Sequence, residues 1–504
     1  MRGSLLKNIN CFPILGKRYM ETIFLPKGAK AFVNGEWMKS ISGKNFPVID
    51  PYTKETLYEC TNCSTSEAQI AVQAAKQSFI NWSTKTTSKE RGAILNEWNK
   101  LLMANQTPLA EIMTREQGKP LAEAKGEIAY AASYLQYYAS EAIRVYGQVV
   151  PAPVLNRQHI HVREPIGVVA VITPWNFPTA MIARKAAAAL AVGCTMVVKP
   201  AEDTPLSALA FAELGEKAGI PSGVFNVIPA DLENTIEISK YLCKSKNVDA
   251  ISFTGSTEVG KILLEQSAST VKRVCLELGG NAPFIVFESA DIDKAVAGCM
   301  ASKFRCSGQT CVSANRILIH EKVHDEFVEK LTTQIQKLKV GYGLDEGITF
   351  GPLINENAVE KVLRLVKDAE SKGATITLGG DIAYPGTTLF SPTLITGVKQ
   401  EMDIAHEEIF GPVVAVQKFN DEEEVLKIAN GTRSGLASYF YSQDIGQIFR
   451  VQSALQFGMV GVNEGLISCS EAAFGGVKES GMGREGGVQG IDEFTQWKYI
   501  CQTY

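Results

Sequence analysis

No stretch of this 504-residue chain is apolar for long enough to cross a membrane. The longest such run lies between Lys185 and Lys199, short of the roughly 20 residues a bilayer demands. Gly193 and Cys194 interrupt it, where a helix is expected to end and a strand to begin. A surplus of either charge is also missing: 50 Lys and Arg face 54 Asp and Glu, for a net −4. That balance carries no electrostatic footprint for nucleic acid or an anionic membrane surface. Cysteine shows no pairing pattern. The eleven are scattered and odd in number, which points to a reducing compartment and mostly buried thiols. Cys60 and Cys63 have C-x-x-C spacing, but no second pair or histidine follows to complete a zinc site, so they read as a surface loop. His159 and His161 share one strand face without a third ligand, and no metal is expected. Acid is missing from the first 20 residues, where Arg2, Lys7, Lys17 and Arg18 precede Glu21. A basic, acid-poor leader is the composition of a mitochondrial transit segment. Residues 1–25 are therefore expected to send the chain to the mitochondrial matrix; the competing reading is a plain tail on a cytoplasmic protein.

What is present is ordinary globular text, 45% hydrophobic and 21% charged, long enough for two or three domains. Residues 66–146 carry helical spacing, as in Ala71, Ala74, Ala75 and Phe79. Val149 to Val162 reads as an extended hairpin. Short, continuously apolar runs then appear at Gly167–Ile172, Thr195–Val198, Val224–Ile228, Ala250–Phe253 and Val274–Leu278, with amphipathic helices between them. That alternation predicts a parallel sheet covered on both faces, with ligands at the rim formed by the strand C-terminal ends. A second α/β set begins at Pro283–Phe287 and continues through Arg316–Ile319, Val413–Val416 and Met459–Val462.

Two segments imitate nucleotide motifs. Gly255 to Lys261 nearly spells a P-loop, but Ile262 stands where Ser or Thr would hold magnesium. A glycine turn between strand and helix still suits a dinucleotide pyrophosphate. Gly481, Gly483 and Gly486 fit the dinucleotide fingerprint literally, yet follow no apolar strand, and are rejected.

The chemistry gathers at strand ends. Thr173 to Pro178 places Asn176 between two prolines that fix the loop. Lys199 to Glu202 ends the next strand, and Glu277 stands beside the Gly279–Gly280 turn, where burial would suit a general base. Cys311 follows the Gly308 loop; alone it would more often be an inert buried thiol than a nucleophile.

Taken together, the motifs PWNFP (174–178), KPAE (199–202), FTGSTEVG (253–260), LELGG (276–280), GQTC (308–311), EEIFGP (Glu407–Pro412) and FGGVKESG (Phe474–Gly481) resemble the aldehyde dehydrogenase superfamily, from about Phe32 to Tyr504. The resemblance implies an α/β fold: a Rossmann-type cofactor domain (30–147 and 166–278), a second α/β catalytic domain (279–475), and a small β oligomerisation hairpin (148–165 with 487–504). It implies a homo-oligomer, a dimer or a tetramer. It implies that Cys311 attacks an aldehyde carbon, that Asn176 and the Cys311 amide hold the oxyanion, and that Glu277 activates the water that releases the thioester. For the cofactor it implies Trp175, Lys199, Glu202, Gly255, Ser256, Thr257, Glu258, Val259, Gly260, Glu408 and Phe410. Glu202 accepts from both ribose hydroxyls and repels a 2′-phosphate, which favours NAD over NADP.

Within the superfamily, Lys303-Phe304-Arg305 and Asn463 to Ser468 resemble the branch acting on succinate semialdehyde, and so 4-aminobutyrate degradation. That similarity implies Arg305 and Ser468 on the substrate carboxylate, with Arg184 in support; a guanidinium matches a carboxylate in two hydrogen bonds. Surface ion pairing is the competing role for the arginines. Glutarate semialdehyde, or a broader range of aldehydes, is the alternative, and a silent structural protein on the same scaffold the remote one. Some members of the branch carry a second cysteine two residues beyond the nucleophile as a disulfide switch. Here Ser313 occupies that position, so no such switch forms; whether Cys306 could replace it depends on loop geometry.

Overall fold

The computed structural model describes residues 26–504, so the proposed transit segment at 1–25 lies outside the described residues. Four helices, Thr65–Thr84, Ser88–Ala104, Gln106–Gln117 and Leu121–Glu141, fill the region of helical spacing. The first two begin with capping boxes, in which Ser64 and Glu67, and then Thr87 and Glu90, satisfy each other's backbone amides.

An eight-stranded sheet follows. Its central strands Phe225–Val227, Thr195–Lys199, Val168–Ile172, Ala250–Thr254 and Arg273–Glu277 run parallel in that order. The continuous apolar runs arise because both sheet faces are buried. Val169, Val171, Met196 and Val198 pack into one core with the buried helix Ala180–Val192, while Val168, Ala170, Ile172 and Val197 enter a second core. Gly193, at φ 101°, ends that helix in the left-handed region where a Cβ is costly, turning the chain directly into the next strand.

The second sheet has seven strands, ordered Thr375–Leu378, Thr393–Thr396, Val413–Phe419, Ala314–His320, Ala282–Val286, Ala437–Tyr441 and Met459–Val462. A third sheet pairs Gln148–Val150 and Arg157–Pro165 with the C-terminal strand Thr495–Thr503. The rejected Gly481 motif forms a two-residue edge strand, Gly481–Met482, antiparallel to Arg273–Glu277. Its glycines serve close backbone approach: a Cβ on Gly481 would stand 1.9 Å from the Leu276 carbonyl oxygen.

One expectation is corrected. Cys60 and Cys63 are fully buried rather than on a surface loop. Cys60 lies on the second strand of the hairpin Asn45–Ile49/Thr56–Thr61, its Sγ 3.5 Å from the Ala29 carbonyl, and the Cys63 amide donates to the Pro229 carbonyl. Burial pushes both thiols well up, which makes them inert packing groups. His159 and His161 lie against Tyr499 in the third sheet, the first edge-on and the second tilted.

Candidate active site

The strand ends of the first sheet and the loop before Ala314–His320 close on a cavity of about 380 Å³. Cys311, Asn176, Arg184, Arg305 and Ser468 line it, together with Trp175, Gly255, Ser256, Glu408 and Phe410. Residues as far apart as 130 and 474 thus meet around one cavity.

The Cys311 loop is built under backbone constraint. Cys306, Ser307 and Gly308 all have positive φ (52°, 54° and 76°). The Gly308 Cα lies against the Gly411 carbonyl, which a Cβ would meet at 2.2 Å, so only glycine fits there. Gln309 pins the loop, donating to the Cys306 carbonyl at 3.1 Å and accepting from Ile354 N at 2.9 Å. Cys311 faces the cavity but lies deep, and burial pushes its thiol up to about 12, with Arg184 and Arg305 pulling the other way.

Asn176 Nδ2 donates to the Gln309 carbonyl at 2.9 Å, and its Oδ1 accepts from Phe177 N. A side-chain amide has two N–H groups, so this anchor leaves one for the cavity.

Glu277 is buried, and neither carboxylate oxygen has a hydrogen-bond partner. Burial, reinforced by Glu485, holds its pKa well above the usual carboxylate range. The carboxylate stands back from the cavity beside Gly475, where a Cβ would come within 2.7 Å of Oε1. Beneath it, Glu485 pairs with Lys185 Nζ and lies 2.8 Å from Arg184 Nε, the latter contact off hydrogen-bond geometry. Arg184 also stacks 3.9 Å from the Phe474 ring centroid. It is therefore held from below while lining the cavity above. Arg305 is the less committed cation, 5.1 Å from the Phe177 ring centroid.

The predicted cofactor residues divide. Gly255 and Ser256 form the turn before helix Thr257–Ser267, and Ser256 accepts from Val259 N at 3.3 Å. Trp175 and Phe410 meet edge to face at 5.6 Å, making an apolar wall. Glu408 accepts from Gly280 N at 2.9 Å, and burial lifts it to about 7. Gly279 leaves it room, since a Cβ there would approach Glu408 Oε2 at 2.9 Å. Lys199 is buried at the sheet rim, 3.4 Å from Glu202. Thr257, Glu258, Val259 and Gly260 do not line the cavity: Glu258 pairs with Arg433, and Thr257 donates to the Glu479 carbonyl. Gly260 makes room for Leu278, which a Cβ would meet at 2.5 Å.

Sequence reasoning missed Glu485, Lys185, Lys119 and Glu127, all buried next to these loops. Arg184 and Lys185 inside an alanine-rich apolar helix were the available signal, because a buried cation demands a buried anion.

Residues 37–500 match the model of the aldehyde dehydrogenase family, and the chain belongs to that family. Enzymes of the family act on aldehydes with NAD(P) as cofactor. The chain is 54% identical to mitochondrial succinate-semialdehyde dehydrogenase of Homo sapiens over 472 residues, 94% of this chain and 88% of that one. It is similar to the crystal structure of succinate-semialdehyde dehydrogenase from Burkholderia pseudomallei at 52% identity and a TM-score of 0.93, covering 94% and 98% of the two chains. It is 49% identical to glutarate-semialdehyde dehydrogenase of Pseudomonas putida, over 94% of this chain and 97% of that one.

Proposed function

We propose that this enzyme oxidises succinate semialdehyde to succinate through a thioester on Cys311, with NAD preferred. The observation that carries the reading is the shared cavity: Arg305 and Ser468 face the same space as Cys311 and Asn176. The high identity to succinate-semialdehyde dehydrogenases supports it. In this reading the carboxylate of the substrate rests on Arg305 and Ser468, while the positive charge of Arg184 supports it from below. The Cys311 thiol gives up its proton to solvent, the thiolate adds to the carbonyl carbon, and the free N–H of the Asn176 amide, with the Cys311 amide, receives the oxyanion. One such donor is worth about 3–4 kcal/mol of barrier.

The cradle fits a nicotinamide dinucleotide: the helix end at Ser256 suits a phosphate, Glu408 faces the space left by Gly279, and Trp175 with Phe410, edge to face, forms an apolar wall. Such a cofactor, when bound, would supply the hydride acceptor, and Cys311 would then hold the acyl group as a thioester. Glu277 then takes a proton from the hydrolytic water, which requires its side chain to turn from Gly475 toward the cavity. The first sheet serves as cofactor domain, the second as catalytic domain, and the third as the oligomerisation element of a dimer or tetramer. The matrix of the mitochondrion is the assigned compartment, in keeping with the human relative.

Arg305→Ala is the test of substrate. Two charge-assisted hydrogen bonds at about 1.5–3 kcal/mol each imply a loss of roughly a hundredfold or more in kcat/KM for succinate semialdehyde. Propanal, which has no carboxylate, should change only a few-fold. Equal losses for both aldehydes sink the clamp. The ratio of kcat/KM for the C4 and C5 semialdehydes separates the succinate from the glutarate reading.

Glu202 sits half-exposed at the rim beside Lys199, and Asp203 next to it is pushed up to about 6 by burial. Removing the Glu202 charge should favour the extra phosphate of NADP. Glu202→Gln is expected to shift the NADP-to-NAD ratio of kcat/KM upward by about tenfold, equivalent to ~1.4 kcal/mol. An unchanged ratio removes Glu202 from cofactor selection.

A further inference from the structure

Lys119 is a lysine with almost no water. It is 2% exposed, and its ammonium donates to Glu127 Oε2 at 2.5 Å and to the backbone carbonyl of Asn176 at 2.7 Å. It also sits 4.0 Å from the centroid of the Phe177 ring. Glu127 completes the bracket: its other oxygen accepts from Thr179 N at 3.0 Å and Ala180 N at 3.2 Å, the first amides of the helix behind the loop. A buried ion pair therefore grips the Asn176 loop at its carbonyl and at its helical end. Within the loop itself Pro174 and Pro178 have no N–H to donate, and the backbone contacts are Thr173 N to the Lys199 carbonyl and Met181 N to the Phe177 carbonyl, neither of which engages the Asn176 carbonyl.

The same short stretch reaches the other half of the site. Glu123 Oε2 accepts from Cys306 N at 2.7 Å, at the start of the left-handed turn that leads to Cys311. Gln117 Nε2 donates to Cys306 Sγ at 3.3 Å, while Gln117 Oε1 accepts from Lys119 N at 3.0 Å. That turn stays close to the Asn176 loop, for Cys306 Sγ lies 3.5 Å from the same Asn176 carbonyl. A packing role alone would be met by an apolar side chain. Burying an ammonium and a carboxylate together costs desolvation that geometry must repay, and what this geometry fixes is where the Asn176 amide points.

We infer that Lys119, paired with Glu127, is a positioning residue for the oxyanion amide of Asn176, acting on the acylation step and not on cofactor binding. It touches no reacting atom; it does not line the cavity. The inference rests on the oxyanion role proposed for Asn176 and is independent of which aldehyde is the natural substrate.

A double-mutant cycle tests it, read as the rate of the first-turnover NADH burst with saturating NAD and succinate semialdehyde. Lys119→Met should slow the burst by about tenfold to a hundredfold, the scale of a displaced reacting group. NAD affinity should remain within about twofold. In the Asn176→Ala background Lys119→Met should cost almost nothing more, since the amide it positions is gone. Lys119→Arg should restore much of the burst, because a guanidinium can still bridge Glu127 and the carbonyl. Should Lys119→Met fail to fold, Glu127→Gln, which keeps the shape and weakens the grip, takes its place in the same cycle. Additive losses in the Asn176→Ala background would make Lys119 merely structural and overturn the inference. An Asn176→Ala enzyme with an undiminished burst would overturn the oxyanion reading itself, and the inference with it.

Discussion

Cys311→Ala should abolish aldehyde-dependent NAD reduction to background while leaving NAD affinity and thermal stability close to those of the parent. Of the ten described cysteines, only Cys311 lines the cavity, so no neighbouring thiol stands ready to replace it. The informative part is the pH dependence of the parent thiol. Burial pushes Cys311 up to about 12, so at neutral pH the thiolate is a small fraction in the chain alone. Iodoacetamide should therefore label Cys311 about ten times faster per pH unit between roughly pH 7 and 9, without a plateau, because the reactive species is the deprotonated one and the range lies below its pKa. A plateau near neutrality would show a thiolate already formed and would transfer the activating role to Arg184 and Arg305. The arrangement also has a protective side. A thiol kept protonated until the site is filled is a poor target for stray oxidants.

Cys306 does not share this chemistry in its resting position. Its sulfur is buried against Gln117 and the Asn176 carbonyl, and burial lifts it to about 11. It serves the turn before Cys311 rather than the cavity.

The parts of the molecule legible in the sequence are those whose physics is local. The five parallel strands were readable because burial on both faces writes a continuous apolar run, as in Val168–Ile172. The strand Ala437–Tyr441 was not, since Ser438 and two tyrosines hide its burial on both faces. Thr393–Thr396 is too short and too polar at its ends to signal itself. Within the site, Cys311, Glu277 and Asn176 could be named from motif text at strand ends. Lys119 could not: it meets Asn176 across 57 positions of sequence, and Lys185 meets Glu485 across 300. Buried ion pairs leave no periodic trace. The surface-loop reading of Cys60 and Cys63 fails for a like reason: C-x-x-C spacing carries no sign of burial, and both thiols are fully buried.

The other large effect expected is on release of the product. Glu277→Gln should give one equivalent of NADH per site in a rapid burst and then nearly stop, with kcat lower by about a hundredfold to ten-thousandfold, the usual contribution of a general base. The burst survives because Glu277 takes no part in forming the thioester under this reading; only hydrolysis needs its carboxylate. Steady-state measurements on the parent add a sign. Burial and the nearby Glu485 hold the Glu277 pKa well above the usual carboxylate range, so the base form grows as pH rises through that raised midpoint. Where hydrolysis limits, kcat of the parent should climb with pH, with a midpoint above the usual carboxylate range. Part of that climb should vanish in Glu277→Gln, whose amide cannot titrate. Glu485 offers a second handle. Paired with Lys185 and facing Arg184, it stays ionised, its pKa held low by those cations against its burial, and its charge raises Glu277. Glu485→Gln should then lower the Glu277 midpoint and shift the kcat profile toward acid. A Glu277→Gln enzyme that loses the burst along with turnover would place this carboxylate in acylation instead, as the base that strips the proton from Cys311.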